Sequence, residues 1–210
     1  MIAVVDYGMG NLRSVAKALE TVAPQDQVMI TADPDQIRRA ERVVFPGQGA
    51  MPDCMRALEQ HHLRQALVEA ARNKPFLGLC IGLQMLFDAS EEGPCAGLGL
   101  LSGQVRRFPA QRMFAADGSR LKVPHMGWNE VSPCQDHALW RGIPVGTRFY
   151  FVHSYFVQEH ASQLAAATTQ YPFVFTCAVA QDNLFAVQFH PEKSAACGLA
   201  LLANFVHWKP

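Results

Sequence analysis

Four short apolar runs in the first eighty residues alternate with helical stretches, and this alternation restricts the fold more than any other feature of the chain. The runs cover residues 2–5, 27–31, 42–47 and 75–79. Between the first two, "LRSVAKALET" carries apolar residues at helical spacing. "DPDQIRRA" opens a second helix, with Asp33 as N-cap and Pro34 at its first position. A long helical region is expected from about residue 51 to 72. Strands that alternate with helices predict a parallel, doubly wound sheet with right-handed crossovers. The second half has a different texture. "GQVRRF", "RFYFVHSYF", "FVFTCAVA" and "LFAVQFH" follow one another with little helix between them. "AQDN" (180–183) links the last two as an antiparallel hairpin, and a helix over about 195–208 closes the chain. The fold class is therefore α/β: a doubly wound, mostly parallel sheet with flanking helices and an antiparallel extension in the second half. No linker, repeat or low-complexity tract divides it, so 1–210 reads as a single domain.

Composition narrows the function classes. Eighteen basic residues balance eighteen acidic ones over 210 positions, and half of the chain is apolar. That balance points away from nucleic acid and from anionic membrane surfaces. Only residues 2–5 stand between Met1 and Asp6, too few for a secretory segment. The longest apolar stretch, around 75–87, is interrupted by Gln84 and is too short to span a bilayer. Cysteines stand at 54, 80, 95, 134, 177 and 197 without a CxxC pair. Free thiols and a cytoplasmic location are the expectation.

One cysteine stands apart. Gly78-Leu79-Cys80-Ile81-Gly82 fits a nucleophile elbow, a strand-to-helix turn so tight that side chains two positions either side have no room. A helix starting near Gly82 would aim its N–H groups and positive end at the sulfur and favour thiolate. The Ile81 amide lies where an oxyanion donor belongs. Taken alone, the pattern also fits a buried cysteine flanked by chance. A thiolate needs a base, and "FHPEKS" (189–194) supplies His190 at the end of a strand. Pro191 biases His190 toward extended backbone. Residues i and i+2 then face one way, so Glu192 reaches the far ring nitrogen. A metal reading of His190 and Glu192 lacks further ligands at usable spacing. No metal and no cofactor are expected.

With "GLCIGLQ" and "HPEKS" together, the chain resembles class I glutamine amidotransferases. The resemblance puts the catalytic residues on Cys80, His190 and Glu192, and the substrate's amino-acid end on Gln84. "VVDYGMGNLRSV" (4–15), "VPHMGWN" (123–129) and "FYFVHSYF" (149–156) are similar to the branch that forms glutaminase subunits of imidazole glycerol phosphate synthases. That branch implies glutamine as substrate and a heterodimer with a cyclase, a (β/α)₈ barrel that takes ammonia through its interior. It assigns Gly47, His153, Ser154 and Tyr155 to the glutamine site, Ile81, Gln48 and Gly49 to the oxyanion, and Asn11, Met126, Trp128 and Lys193 to the partner. In their own right Trp128 reads equally as core aromatic or interface anchor, His125 as a hydrogen-bonded structural histidine, and Asn11 as a turn residue. The loop Pro46-Gly47-Gln48-Gly49 departs from the branch, which usually carries a small apolar residue where Gln48 stands. Its two glycines let the intervening peptide turn over, which would keep the isolated chain nearly silent. Two other classes compete: a stand-alone cysteine hydrolase of peptides or folate conjugates, and a non-catalytic binding subunit.

Overall fold

The computed structural model describes residues 1–115 and 117–210. In chain order, β1 (Ile2–Val5), α1 (Leu12–Val22), β2 (Val28–Thr31), α2 (Pro34–Arg39), β3 (Arg42–Gly47), α3 (Met51–Gln60), α4 (Arg64–Asn73) and β4 (Phe76–Cys80) make the alternating half. A one-turn helix α5 (Ile81–Gln84) leads into β5 (Phe87–Ser90), β6 (Cys95–Ala96) and β7 (Leu101–Arg107). Then come β8 (His125–Glu130), β9 (Ser132–Pro133), β10 (Arg148–His153), β11 (Tyr155–Glu159), β12 (Ala165–Gln170), β13 (Val174–Gln181), β14 (Leu184–Val187) and α6 (Ala195–His207). The main sheet runs β2-β1-β3-β4-β14-β13-β11-β7-β5-β6, with β12 and β9 branching from β13. From β2 to β14 every pairing is parallel. Beyond β14 the pairings are antiparallel, except that of β5 with β7. This is the doubly wound sheet with an antiparallel extension.

The parallel strands read as unbroken apolar runs because both of their faces are covered. In β1, Ile2 and Val4 join α1 and α6 in one core, while Ala3 and Val5 face α2, α3 and α4 in the other. Each large side chain buried this way stabilises the fold by about 1.5–3 kcal/mol. Asp33 caps α2, its carboxylate accepting from the Asp35 amide at 2.8 Å. Among the described residues no helix is long and apolar enough to cross a membrane.

Three boundaries differ from the sequence reading. The helical region 51–72 is two helices, because His62 adopts φ +55°. The His62 amide bonds back to Glu59 and the Leu63 amide to Leu58, a Schellman closure normally built on glycine. Residues 148–156 do not form one strand. Ser154 is a corner: β10 pairs with β8 in a separate two-stranded sheet, and β11 joins the main sheet. The helix after Cys80 begins at Ile81 rather than Gly82 and lasts one turn. The carbonyls of Met85 and Leu86 accept from the amides of Leu98, Leu100 and Leu101 rather than extending it.

Candidate active site

Three neighbouring parallel strands end at one edge. Gly47 of β3 lies opposite Cys80, and Val187 of β14 lies opposite Leu79. The residues that emerge there come from three distant stretches of sequence, at the carboxyl edge where α/β sheets bind ligands. Cys80 is held at φ +55°, ψ −109°, a conformation that costs a non-glycine residue about 1–3 kcal/mol. The two glycines have separate steric reasons. A Cβ on Gly82 would stand 1.9 Å from the Phe45 carbonyl oxygen, and one on Gly78 would stand 2.9 Å from Ala186 Cβ. Gly47 is buried under the elbow, where a Cβ would meet Tyr7 Oη at 2.7 Å and Ile81 Cβ at 2.8 Å. It therefore packs beneath the cavity rather than lining it.

His190 arrives just beyond β14, pinned at both ends of its backbone. Its amide donates to the Tyr150 carbonyl at 2.9 Å, and its carbonyl accepts from the buried Ser194 hydroxyl at 2.6 Å. Gly198 lets α6 close over this turn, since a Cβ there would fall 1.8 Å from the Pro191 oxygen. His190 Nδ1 lies 2.9 Å from Glu192 Oε1, with both side chains buried. Nε2 makes no hydrogen bond and is turned to the Cys80 sulfur. Burial pulls the imidazolium pKa down, but the Cys80 sulfur and the Glu192 carboxylate outweigh it and hold the pKa at about 10. A buried, charged imidazole beside a thiol at an elbow can support a thiolate–imidazolium pair.

A cavity of about 260 Å³ opens over this group. Gln48, Gly49, Ile81, Gln84, His153, Ser154 and Tyr155 line it with Cys80 and His190. Gln48 is exposed, and its carbonyl accepts from the Cys54 thiol at 3.5 Å. Two lining or adjoining residues escaped the sequence reading. Glu92 lines the cavity and accepts from the Met51 amide at 2.8 Å, and no local signal marked it. Gln188 is fully buried, its amide 3.7 Å from Cys80 Sγ. Its signal was available, since it is the one polar residue inside "LFAVQF". A larger groove of about 1770 Å³ follows β7 and residues 108–113 and 120–124 but includes neither Cys80 nor His190. Cys80 and His190 both line the smaller cavity.

β8 alternates sharply. Met126 and Trp128 point outward, 65% and 51% exposed, while His125 is buried. Trp128 is thus a surface residue, not a core one. Its ring meets that of Tyr150 edge-on at 6.3 Å, and Lys193 Nζ stands 6.0 Å from the Tyr150 ring. Asn11 begins α1 without a side-chain cap bond.

Burial lowers the pKa of His125 to about 4 and that of His153 to about 3, the latter helped by the neighbouring His125. An unfolded histidine takes up its proton near 6.5. From there down to the folded values the unfolded chain binds more protons, so stability falls as pH drops. The slope approaches about 1.4 kcal/mol per pH unit for each histidine. Melting followed from pH 7 to 5 should fall more steeply for the wild type than for a His125→Gln/His153→Asn variant. Equal slopes would remove the histidines as the cause.

A parallel sheet with an elbow cysteine and a His–Glu pair at its carboxyl edge defines a class of cysteine amidohydrolases. Residues 3–208 match the family model "Glutamine amidotransferase class-I", and the chain belongs to that family. Its relatives include the protein named imidazole glycerol phosphate synthase subunit HisH of Nitrosospira multiformis. That protein is 64% identical over 209 residues, covering 100% of this chain and 98% of the relative. The HisH protein of Nitrosomonas europaea is 58% identical, with 100% and 99% covered. Among solved structures, one titled as a glutamine amidotransferase superposes with a TM-score of 0.73 at 15% identity, covering 99% of this chain and 98% of that one. The glutaminase domain of Trypanosoma brucei CTPS gives 0.64 at 18% identity, covering 100% and 94%. At such identities these two structures speak for the fold alone.

Proposed function

We propose that the chain, acting as one domain in the cytoplasm, is the glutaminase subunit of an imidazole glycerol phosphate synthase and delivers ammonia to a cyclase of (β/α)₈ fold. The observation that carries the reading is the convergence of Cys80, His190 and Glu192 at one sheet edge in a chain 58–64% identical, end to end, to HisH proteins. The Cys80 thiolate attacks the side-chain amide carbon of glutamine, and the resulting oxyanion takes N–H groups from Ile81 and from the Gln48–Gly49 loop. His190, oriented by Glu192, gives its proton to the departing nitrogen as the C–N bond breaks. Ammonia leaves, and a γ-glutamyl thioester remains on Cys80. Water deprotonated by His190 then attacks the thioester, releasing glutamate and restoring the thiolate. Gln84, Glu92, His153, Ser154 and Tyr155 hold the amino-acid end. Asn11, Met126, Trp128 and Lys193 face the cyclase.

Ammonia released without an acceptor is lost, so the isolated chain should be slow. Gly49 sits at φ +105° and Gly47 precedes Gln48, which lets the Gln48 N–H turn toward or away from the oxyanion. One missing donor costs about 10²–10³ in rate. Glutamate production should rise by about that factor from the chain alone to the chain with cyclase and its nucleotide ligand. Equal rates with and without cyclase would favour the stand-alone hydrolase.

A further inference from the structure

A buried hydrogen-bond series runs from β8 to the cysteine, and its direction is set at every step. The Tyr155 carbonyl can only accept, so His153 Nδ1, 2.7 Å away, carries a proton. His153 is neutral at neutral pH, which leaves its Nε2 as an acceptor. His125 Nδ1, 2.9 Å from that Nε2, therefore donates. His125 Nε2 in turn accepts from the Asn129 amide at 3.2 Å. On the other side of the carbonyl, Gln84 Nε2 donates to it at 3.2 Å and to Gln188 Oε1 at 2.9 Å. That fixes the Gln188 amide flip and turns its Nε2 to Cys80 Sγ at 3.7 Å. Gln84 Oε1 stays buried without a partner at the cavity. No alternative tautomer or flip satisfies these partners. A carboxamide at zero exposure just past the apolar strand β14, both of its ends engaged, is not filler.

We infer that Gln188 is a positioning residue for the Cys80 thiolate, held in register by the series Asn129–His125–His153–Tyr155 carbonyl–Gln84. The inference rests on Cys80 as the attacking group. His190 supplies the thiolate with a donor only while it is protonated. Once it has given that proton to the departing nitrogen, and until it takes another from the attacking water, Gln188 is the donor that remains beside the sulfur. A neutral amide cannot replace the base, so Gln188 shapes the sulfur's charge without carrying protons.

The test is the pH profile of iodoacetamide alkylation on the full-length chain, with the labelled residue mapped by mass spectrometry, alongside glutaminase kcat and KM. Gln188→Met keeps the volume and removes the donor. A hydrogen bond to a charged group is worth enough that Cys80 labelling at pH 7 should slow about tenfold or more and recover at higher pH. kcat should fall while KM changes little. His153→Leu breaks the series and should shift the profile the same way, and His153→Asn, which keeps a donor to the Tyr155 carbonyl, should restore most of it. An unshifted profile in a folded Gln188→Met variant overturns the inference. Should that variant fail to fold, identical profiles for the two His153 variants overturn it instead. A wild-type label anywhere but Cys80 would overturn the nucleophile assignment first, a separate failure.

Discussion

Replacing Cys80 with alanine is expected to abolish glutamine hydrolysis while leaving the fold intact. Removing the nucleophile of a triad costs about 10⁶ in kcat, and the remainder comes from oxyanion donors and substrate binding. The fold should survive, since Cys80 contributes little packing compared with the phenylalanines and leucines around it. Alanine at φ +55° is no more strained than cysteine was. Circular dichroism and melting should match the wild type, and synthesis from added ammonia in the complex should persist. Glutamate formation above a trace, in a folded variant, would remove Cys80 from the mechanism.

His190→Asn should cost about 10²–10⁴ in rate, the usual magnitude for losing a general base. Glu192→Gln should cost less, because it removes the group that orients the imidazole and, after the Cys80 sulfur, helps to raise its pKa, but leaves the proton carrier in place. The pH dependence separates the two. Without the Glu192 carboxylate the imidazolium loses a stabilising charge, so the upper limb of the rate profile should move to lower pH in Glu192→Gln. In His190→Asn that limb should vanish. A Glu192→Gln variant more damaged than His190→Asn, both folded, would reverse the assigned roles.

Local chemistry was legible in the sequence wherever a residue's neighbours in the chain were also its neighbours in space. The elbow is such a case, since Gly78, Cys80 and Gly82 stand within five positions. His190 and Glu192 are another, two residues apart on extended backbone. The parallel strands were legible too, as short apolar runs that alternate with helical stretches. What sequence order concealed came from long-range packing. Glu92 reaches the cavity through a strand and a turn, Gln188 meets Gln84 across 104 positions, and Gly198 is needed only because α6 closes over Pro191. The helix break at His62 was hidden because a left-handed closure usually advertises itself with glycine. The split at Ser154 was hidden because strand periodicity on either side of a corner looks continuous. Trp128 could be placed on the surface only once β8 was seen to pair with β10 outside the main sheet.

Trapping the acyl-enzyme position tests the central claim most directly. The full-length chain, incubated with the glutamine analogue 6-diazo-5-oxonorleucine, should lose glutaminase activity in step with the formation of a single covalent adduct. Peptide mapping should place that adduct on Cys80, with the thiols at 54, 95, 134, 177 and 197 unmodified, and excess glutamine should protect. An adduct on any other residue, or inactivation with Cys80 still free, would contradict the account.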